Sequence, residues 1–202
     1  MKRKHLILVP AAAAALVFAG CSSDDSSTAA DSASNTNVDV SEAAPDFRPA
    51  TCPTDAPAAD TKADWTLQGT SGSIDVVGPT DDTAPLVTIE GAPFEVDKTT
   101  VETLEAGDGT AVTKDSTVSV CYHGVNGRDG SVFDSAFDRG EPAAFPASGV
   151  VPGFQKALMG QKAGADVAVA VAPADGYPQG TPDGAIKTGD TIVFALTIVS
   201  VQ

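Results

Sequence analysis

Beyond residue 64 the chain is ordered by a period of two: apolar and polar positions alternate in short runs separated by Gly, Pro and Asp, the signature of strands. In 65–78 the run Trp-Thr-Leu-Gln-Gly-Thr-Ser-Gly-Ser-Ile-Asp-Val-Val-Gly alternates and is punctuated by glycine, which predicts a β-hairpin. Further runs at 86–90, 99–105, 117–122, 131–134, 166–171 and 191–201 predict more strands. Val167, Val169 and Val171 alternate with alanine, the pattern of a half-buried strand. Around 117–123, Val118, Val120 and Tyr122 share one face and Cys121 takes the other. One stretch suits a helix, 153–160, where Phe154 and Leu158 fall on one side and Gly160 can close the end. A short helix against an antiparallel sheet predicts an α+β roll.

Ahead of these strands the pattern changes twice. Lys2, Arg3 and Lys4 precede an apolar run from Leu6 to Ala19, and Phe18-Ala19-Gly20-Cys21 follows. That is the layout of a secretory signal peptide, too short and too rich in small residues for a comfortable membrane span. Small residues before the cysteine resemble the lipobox of bacterial lipoproteins, which implies that Cys21 becomes an acylated N-terminus. Phe18 departs from that pattern, where Leu is usual. The alternative is a secreted protein in which Cys21 is incidental. From Ser22 to about Ala63 there is almost no large apolar residue, so this segment is expected to be a flexible tether. The organisation predicted is a signal peptide at 1–20, a tether at 21–63, an accessory β-hairpin at 64–83 and a domain at 84–202.

Charge and scarcity then exclude several chemistries. The net charge is −15, and without the three basic residues of the leader it becomes −18. So acidic a surface repels phosphate backbones, and nucleic acid is not an expected partner. With His5 in the leader, His123 is the one histidine of the mature chain, which speaks against a histidine-based triad or a multi-histidine metal site. It follows Tyr122 on the outward face and reads as a solvated surface residue. Asp81-Asp82 and Asp108-Gly-Thr lack the spacing of a calcium loop, and no phosphate-binding or dinucleotide fingerprint appears. No metal and no cofactor is expected. Once Cys21 is set aside, Cys52 and Cys121 form an even pair in a compartment that permits disulfides. A Cys52–Cys121 bond would pin the segment after the tether to the back of the sheet; two free thiols are the alternative.

The remaining signal is an order of motifs: Val-Ser-Val-Cys-Tyr-His-Gly (118–124), Phe-Asp-Ser-Ala-Phe-Asp-Arg-Gly (133–140), Val-Val-Pro-Gly-Phe (150–154), Asp-Gly-Tyr-Pro (175–178) and Thr-Ile-Val-Phe (191–194). Together these resemble the FKBP-type peptidyl-prolyl isomerases over about 84–202. The resemblance implies a curved antiparallel sheet wrapped around a short helix, with an apolar ligand cup between them. It implies that Tyr122, Phe133, Asp134, Tyr177 and Phe194 carry the reaction. Arg139 would orient Asp134, Phe145, Val150 and Val151 would contact substrate, Phe154 would form the floor, and Ile186 would close the far side with Phe194. Two departures stand out: Ala143 where the family has an aromatic, and Phe154 where it often has Trp. The loop from Phe145 to Val150 is also short.

Prolyl isomerisation suits a chain without nucleophile or cofactor, since rotation about the X-Pro bond breaks nothing covalent. The expected partners are X-Pro segments of exported or cell-surface proteins, a macrolide as a candidate ligand, and a membrane through the lipid anchor; a monomer is expected. Two other functions fit the same features. One is a module that holds proline-containing segments without turnover, which Ala143 favours. The other is an acidic lipoprotein spacer, which only the tether favours.

Overall fold

The computed structural model describes residues 51–202, so the predicted leader, Cys21 and the tether up to residue 50 lie outside the described residues. Strands β1 (Trp65–Gln68), β2 (Ser71–Val77) and β3 (Leu86–Glu95) form an antiparallel three-stranded sheet in chain order. β1 and β2 are the hairpin that alternation predicts, with Trp65 opposite Val76 and Gln68 opposite Ser73. β3 pairs with this hairpin, Ile74 opposite Ile89 and Val76 opposite Val87, although the sequence places 86–90 in the following domain. The apolar faces explain the choice, because Ile74, Val76 and Val87 are buried together.

The second sheet has six strands: β4 (Thr100–Glu105), β5 (Thr117–Asn126), β6 (Val132–Ser135), β7 (Ala143–Pro146), β8 (Asp166–Val171) and β9 (Ile192–Val201). Their order is β4-β8-β9-β5-β6, with β7 also on β5. β5 is the spine, paired along one edge with β9 and along the other with β7 and then β6. Register shifts at Ser119/Val120 and Gly124/Val125 interrupt its ladders, and such bulges bend a strand.

The predicted helix is α2 (Pro152–Leu158), and a one-turn helix, α1 (Ala136–Arg139), was not expected. Pro152 starts α2, where its missing N–H costs nothing. Phe154, Ala157 and Leu158 face the sheet. A Cβ on Gly153 would collide with the Val171 side chain, so glycine is what lets α2 lie directly on β8.

Burial on β8 corrects a sequence expectation. Val167, Val169 and Val171 enter the core beneath α2, but Ala168 and Ala170 are also fully buried. They meet Ile74, Val76, Val87 and Phe94 of the three-stranded sheet, which covers the back of the larger one. Alanine on that side is what keeps the two layers close. The strand is therefore buried on both faces, not half-buried.

Cys52 and Cys121 form a disulfide across 69 positions, in a third apolar cluster with Ala84, Ala136 and Phe137. Closing a loop of that length restricts the unfolded chain by about 4 kcal/mol in the chain-entropy picture. Cys52 and Asp55, in the part of the expected tether that lies within the described residues, are thus tied to the domain. Cys52 N–H donates to the Gly140 carbonyl at 3.1 Å, and Ala84 N–H to that of Asp55 at 2.7 Å. Composition fails as a guide here because a covalent bond and backbone hydrogen bonds hold a segment with little apolar surface to bury.

Candidate functional site

On the α2 side of the six-stranded sheet the core opens into a cleft of about 250 Å³, just below the usual range of ligand sites, roughly 300–1,000 Å³. Its walls are rings delivered by different elements. β5 brings Tyr122, β6 Phe133, β7 Phe145, α2 Phe154 and β9 Phe194. Phe154 meets Phe194 at a centroid distance of 4.8 Å and an interplanar angle of 89°. Phe133 meets Phe194 at 5.5 Å and Phe145 meets Phe154 at 5.7 Å, both edge to face. Tyr122 contacts Phe154 and Phe194 the same way, at 6.0 and 6.3 Å. This arrangement satisfies the ring quadrupoles while leaving space between the rings.

The sequence reading missed a residue that makes this convergence possible. Gly124 sits opposite Phe194 in the β5–β9 register. A Cβ there would stand 2.7 Å from Phe133 Cζ and 2.9 Å from Phe194 Cε1, so any side chain would drive the two rings apart. The signal was present in the sequence: a lone glycine inside a run that reads as a strand marks a close approach.

The lip is polar and held on three sides. Tyr122 Oη donates to Asp134 Oδ2 at 2.5 Å, Arg139 Nη1 donates to Asp134 Oδ1 at 2.5 Å, and Arg139 Nη2 donates to Tyr122 Oη at 3.0 Å. The guanidinium also lies 5.6 Å from the Tyr122 ring centre. α1 sets Arg139 in place: Ser135 Oγ accepts from Asp138 N–H at 3.0 Å, and Gly140 closes the turn at φ +72°. Ser135-x-x-Asp138 is a capping pattern that could have revealed this helix from sequence.

Burial alone pushes the Asp134 carboxyl up, but hydrogen bonds from Tyr122 and Arg139 and the guanidinium charge outweigh it and hold the group below its ordinary value. Tyr122 moves the other way, raised by burial and by its bond to Asp134. Asp134 is thus a fixed anion and Tyr122 a fixed neutral donor. With side chains 46% and 49% exposed, the Asp134–Arg139 pair adds little stability, and its effect is orientation.

Asp134, Val150, Val151 and Tyr177 complete the lining, Val150 and Val151 just ahead of α2 and Tyr177 after a 3₁₀ turn at Pro173–Asp175. Gly149 also lines it, unanticipated. Two of the expected site residues lie outside this lining. Arg139 is outside the lining and acts on Asp134 and Tyr122. Ile186, 2% exposed, belongs to the core and not to the cleft wall. His123 is half-buried instead of solvated, its Nδ1 3.1 Å from Ser135 Oγ, and burial lowers its pKa against the pull of Asp138.

Residues 108–199 match the model of the FKBP-type peptidyl-prolyl cis-trans isomerases. The chain is 34% identical over 95 residues to a probable FK506-binding protein of Corynebacterium glutamicum, covering 46% of this chain and 79% of that protein. It belongs to the FKBP-type family. To the peptidyl-prolyl cis-trans isomerase Mip of Coxiella burnetii it is 37% identical over 101 residues, 49% of this chain and 43% of that one. The chain thus spans less than half the length of that curated relative. The crystal structure of FkpA from Escherichia coli aligns at 33% identity with a TM-score of 0.48, covering 52% of this chain and 48% of that one. Within the FKBP-type frame, Ala143 lies on β7 two positions before Phe145, so the missing ring would have stood beside the cleft on the same strand face.

Proposed function

We propose that the cleft is the active site of a peptidyl-prolyl cis-trans isomerase, and the observation that carries this reading is the convergence of Tyr122, Phe133, Phe154, Tyr177 and Phe194 on one small cavity under a fixed Tyr122–Asp134–Arg139 lip. Amide resonance sets a rotation barrier of about 18–20 kcal/mol. Twisting the bond reduces its charge separation, so a wall of rings that keeps water from the carbonyl favours the twisted form over both planar ones. Each gain of about 1.4 kcal/mol in that preference raises the rate tenfold. The prolyl ring enters between Tyr122, Phe133, Phe154 and Phe194. Asp134 faces the twisted amide at the rim, held there by Arg139. Tyr177 offers its hydroxyl to the carbonyl before the proline, and Val151 N–H meets the substrate backbone. Rotation needs no cofactor.

The proposed substrates are X-Pro segments of exported or cell-surface proteins. Supporting this are the basic and apolar N-terminal run ending in Ala19-Gly20-Cys21, and a disulfide of the kind oxidising compartments keep. In this reading Cys21 carries the lipid, and the monomeric domain works near the outer face of a membrane. A macrolide would use the same cleft but lose the contact of the ring that Ala143 lacks, roughly 1–3 kcal/mol.

A protease-coupled prolyl assay tests the reading, with Tyr177→Phe and Asp134→Ala as controls. Acceleration that falls in both variants supports it. A folded chain that binds proline peptides without accelerating them supports the second reading, a holding module, which Ala143 favours.

A further inference from the structure

The loop that carries Tyr177 toward the cleft runs from the 3₁₀ turn to β9 and contains no strand or helix among its described residues. What fixes it is a carboxylate at its far end. The Asp190 side chain is 8% exposed. Its Oδ2 accepts from Asn126 Nδ2 at 2.8 Å and from Lys187 N–H at 2.8 Å, and Arg128 Nε lies 3.3 Å from both of its oxygens. Asn126, fully buried at the end of β5, also donates to the Ala185 carbonyl at 3.0 Å, while its Oδ1 accepts from Arg128 N–H at 2.9 Å.

From this clasp a continuous set of bonds leads back to the cleft. Ala185 and Lys187 flank Ile186, whose carbonyl accepts from Thr181 N–H at 2.8 Å and whose N–H donates to Thr181 Oγ1 at 3.1 Å. Gly180 N–H then donates to the Tyr177 carbonyl at 2.9 Å. Ile186 itself is in the core, which explains why it does not line the cleft. It anchors the loop from below while the clasp fixes it from the side.

We propose that Asp190 is a positioning residue: with Asn126 and Arg128 it holds the 178–189 loop so that Tyr177 meets substrate already in place. This rests on reading the cleft as an isomerase site, and it adds a function for polar residues that lie outside the lining. Asp175, at the near end, makes a different kind of tie, accepting from Lys156 Nζ and Thr99 Oγ1 at 2.6 Å. Its side chain is 25% exposed and that of Lys156 55%, so water competes there as it does not at Asp190.

The test uses the full chain, with Asp190→Ala and Asp190→Asn made in the wild-type and Tyr177→Phe backgrounds. The chain has two tyrosines, so ring signals after tyrosine labelling report Tyr177 with Tyr122 as internal reference. Expected for Asp190→Ala is a shifted Tyr177 signal, an unmoved Tyr122 signal, and faster amide exchange at Gly180, Thr181, Ile186 and Lys187 with β8 and β9 still protected. The kcat/KM should fall by up to about tenfold, no more than loss of the Tyr177 hydroxyl contact itself. In the Tyr177→Phe background the further loss should be under about twofold, because residues acting through one another are non-additive. Asp190→Asn keeps the size and one acceptor and should show the same pattern more weakly; it decides the matter if the alanine variant does not fold. Unchanged loop exchange and Tyr177 signals, or an undiminished loss in the Tyr177→Phe background, would overturn the proposal. If the wild-type chain shows no isomerase activity, the isomerase reading falls and the exchange and ring signals alone decide the positioning role.

Discussion

The two faces of the six-stranded sheet are both apolar, yet the ring-lined cleft opens on one of them and a second sheet packs on the other. On the back, small side chains such as Ala168, Ala170 and Ala195 let a second sheet settle close, with Phe94 fully buried between them. On the front, rings from five elements meet edge to face and leave about 250 Å³ between them, rimmed by a fixed anion and its donors. The contrast teaches that hydrophobic burial does not itself make a site. What makes one is bulk that cannot close up, together with polar atoms that cannot turn away. The back should therefore govern stability and the front activity, and the following variants can separate them.

The largest effect is expected at the back. Phe94→Ala should lower unfolding free energy by about 3–5 kcal/mol, as truncation of a buried ring does. Urea unfolding measures it, and kcat/KM per folded molecule should not change. Removing the disulfide with the Cys52→Ser, Cys121→Ser pair should cost roughly 2–5 kcal/mol on the same assay. Because Cys52 N–H also bonds the Gly140 carbonyl beside Arg139, any accompanying activity loss should appear in the lip and not in the rings. At the front, Tyr177→Phe should change stability by under about 0.5 kcal/mol. It should reduce kcat/KM about tenfold, the worth of one hydrogen bond made in the transition state.

Two titrations give the smallest and most discriminating effects. Asp134 is held below its ordinary pKa, so it stays ionised through the usual carboxylate range. Its contribution is present above that range and lost only as pH falls through the lower, folded value. The pH–rate profile should therefore be flat from neutrality down past the pH at which an ordinary carboxylate protonates, and Arg139→Gln should move the fall to higher pH. His123, within β5 on the face opposite Tyr122, has its pKa lowered by burial. The unfolded chain takes up a proton there between pH 6.5 and the folded value, so stability should decrease as pH falls through that window and be flat above it. His123→Gln should remove that slope without altering activity at neutral pH.

The front was more legible in the sequence than the back, for a physical reason. Tyr122, Phe133 and Phe194 were legible because the order of motifs around them resembles the FKBP-type family, and the period of two placed Cys121 on the face opposite Tyr122. The back depends on which other element arrives to cover it, and Ala168 and Ala170 read as solvent-facing until the partner sheet is seen. Local periodicity also says nothing about a one-turn helix such as α1, or about a clasp joining Asn126 to Asp190 across 64 positions. Ile186, given a place at the far wall by the resemblance, lies in the core, and the loop bonds that turn it inward leave no mark in the local pattern.

An isomerase and a holding module differ in whether the ring-lined front cleft speeds rotation about X-Pro bonds or merely holds them. Exchange NMR on a proline peptide at equilibrium reads that rotation without protease or refolding client. Catalytic amounts of the folded chain should raise the cis–trans interconversion rate in proportion to its concentration, and Phe194→Ala should abolish most of the gain. Peptide signals that shift on binding while the interconversion rate stays at its uncatalysed value would contradict the isomerase reading.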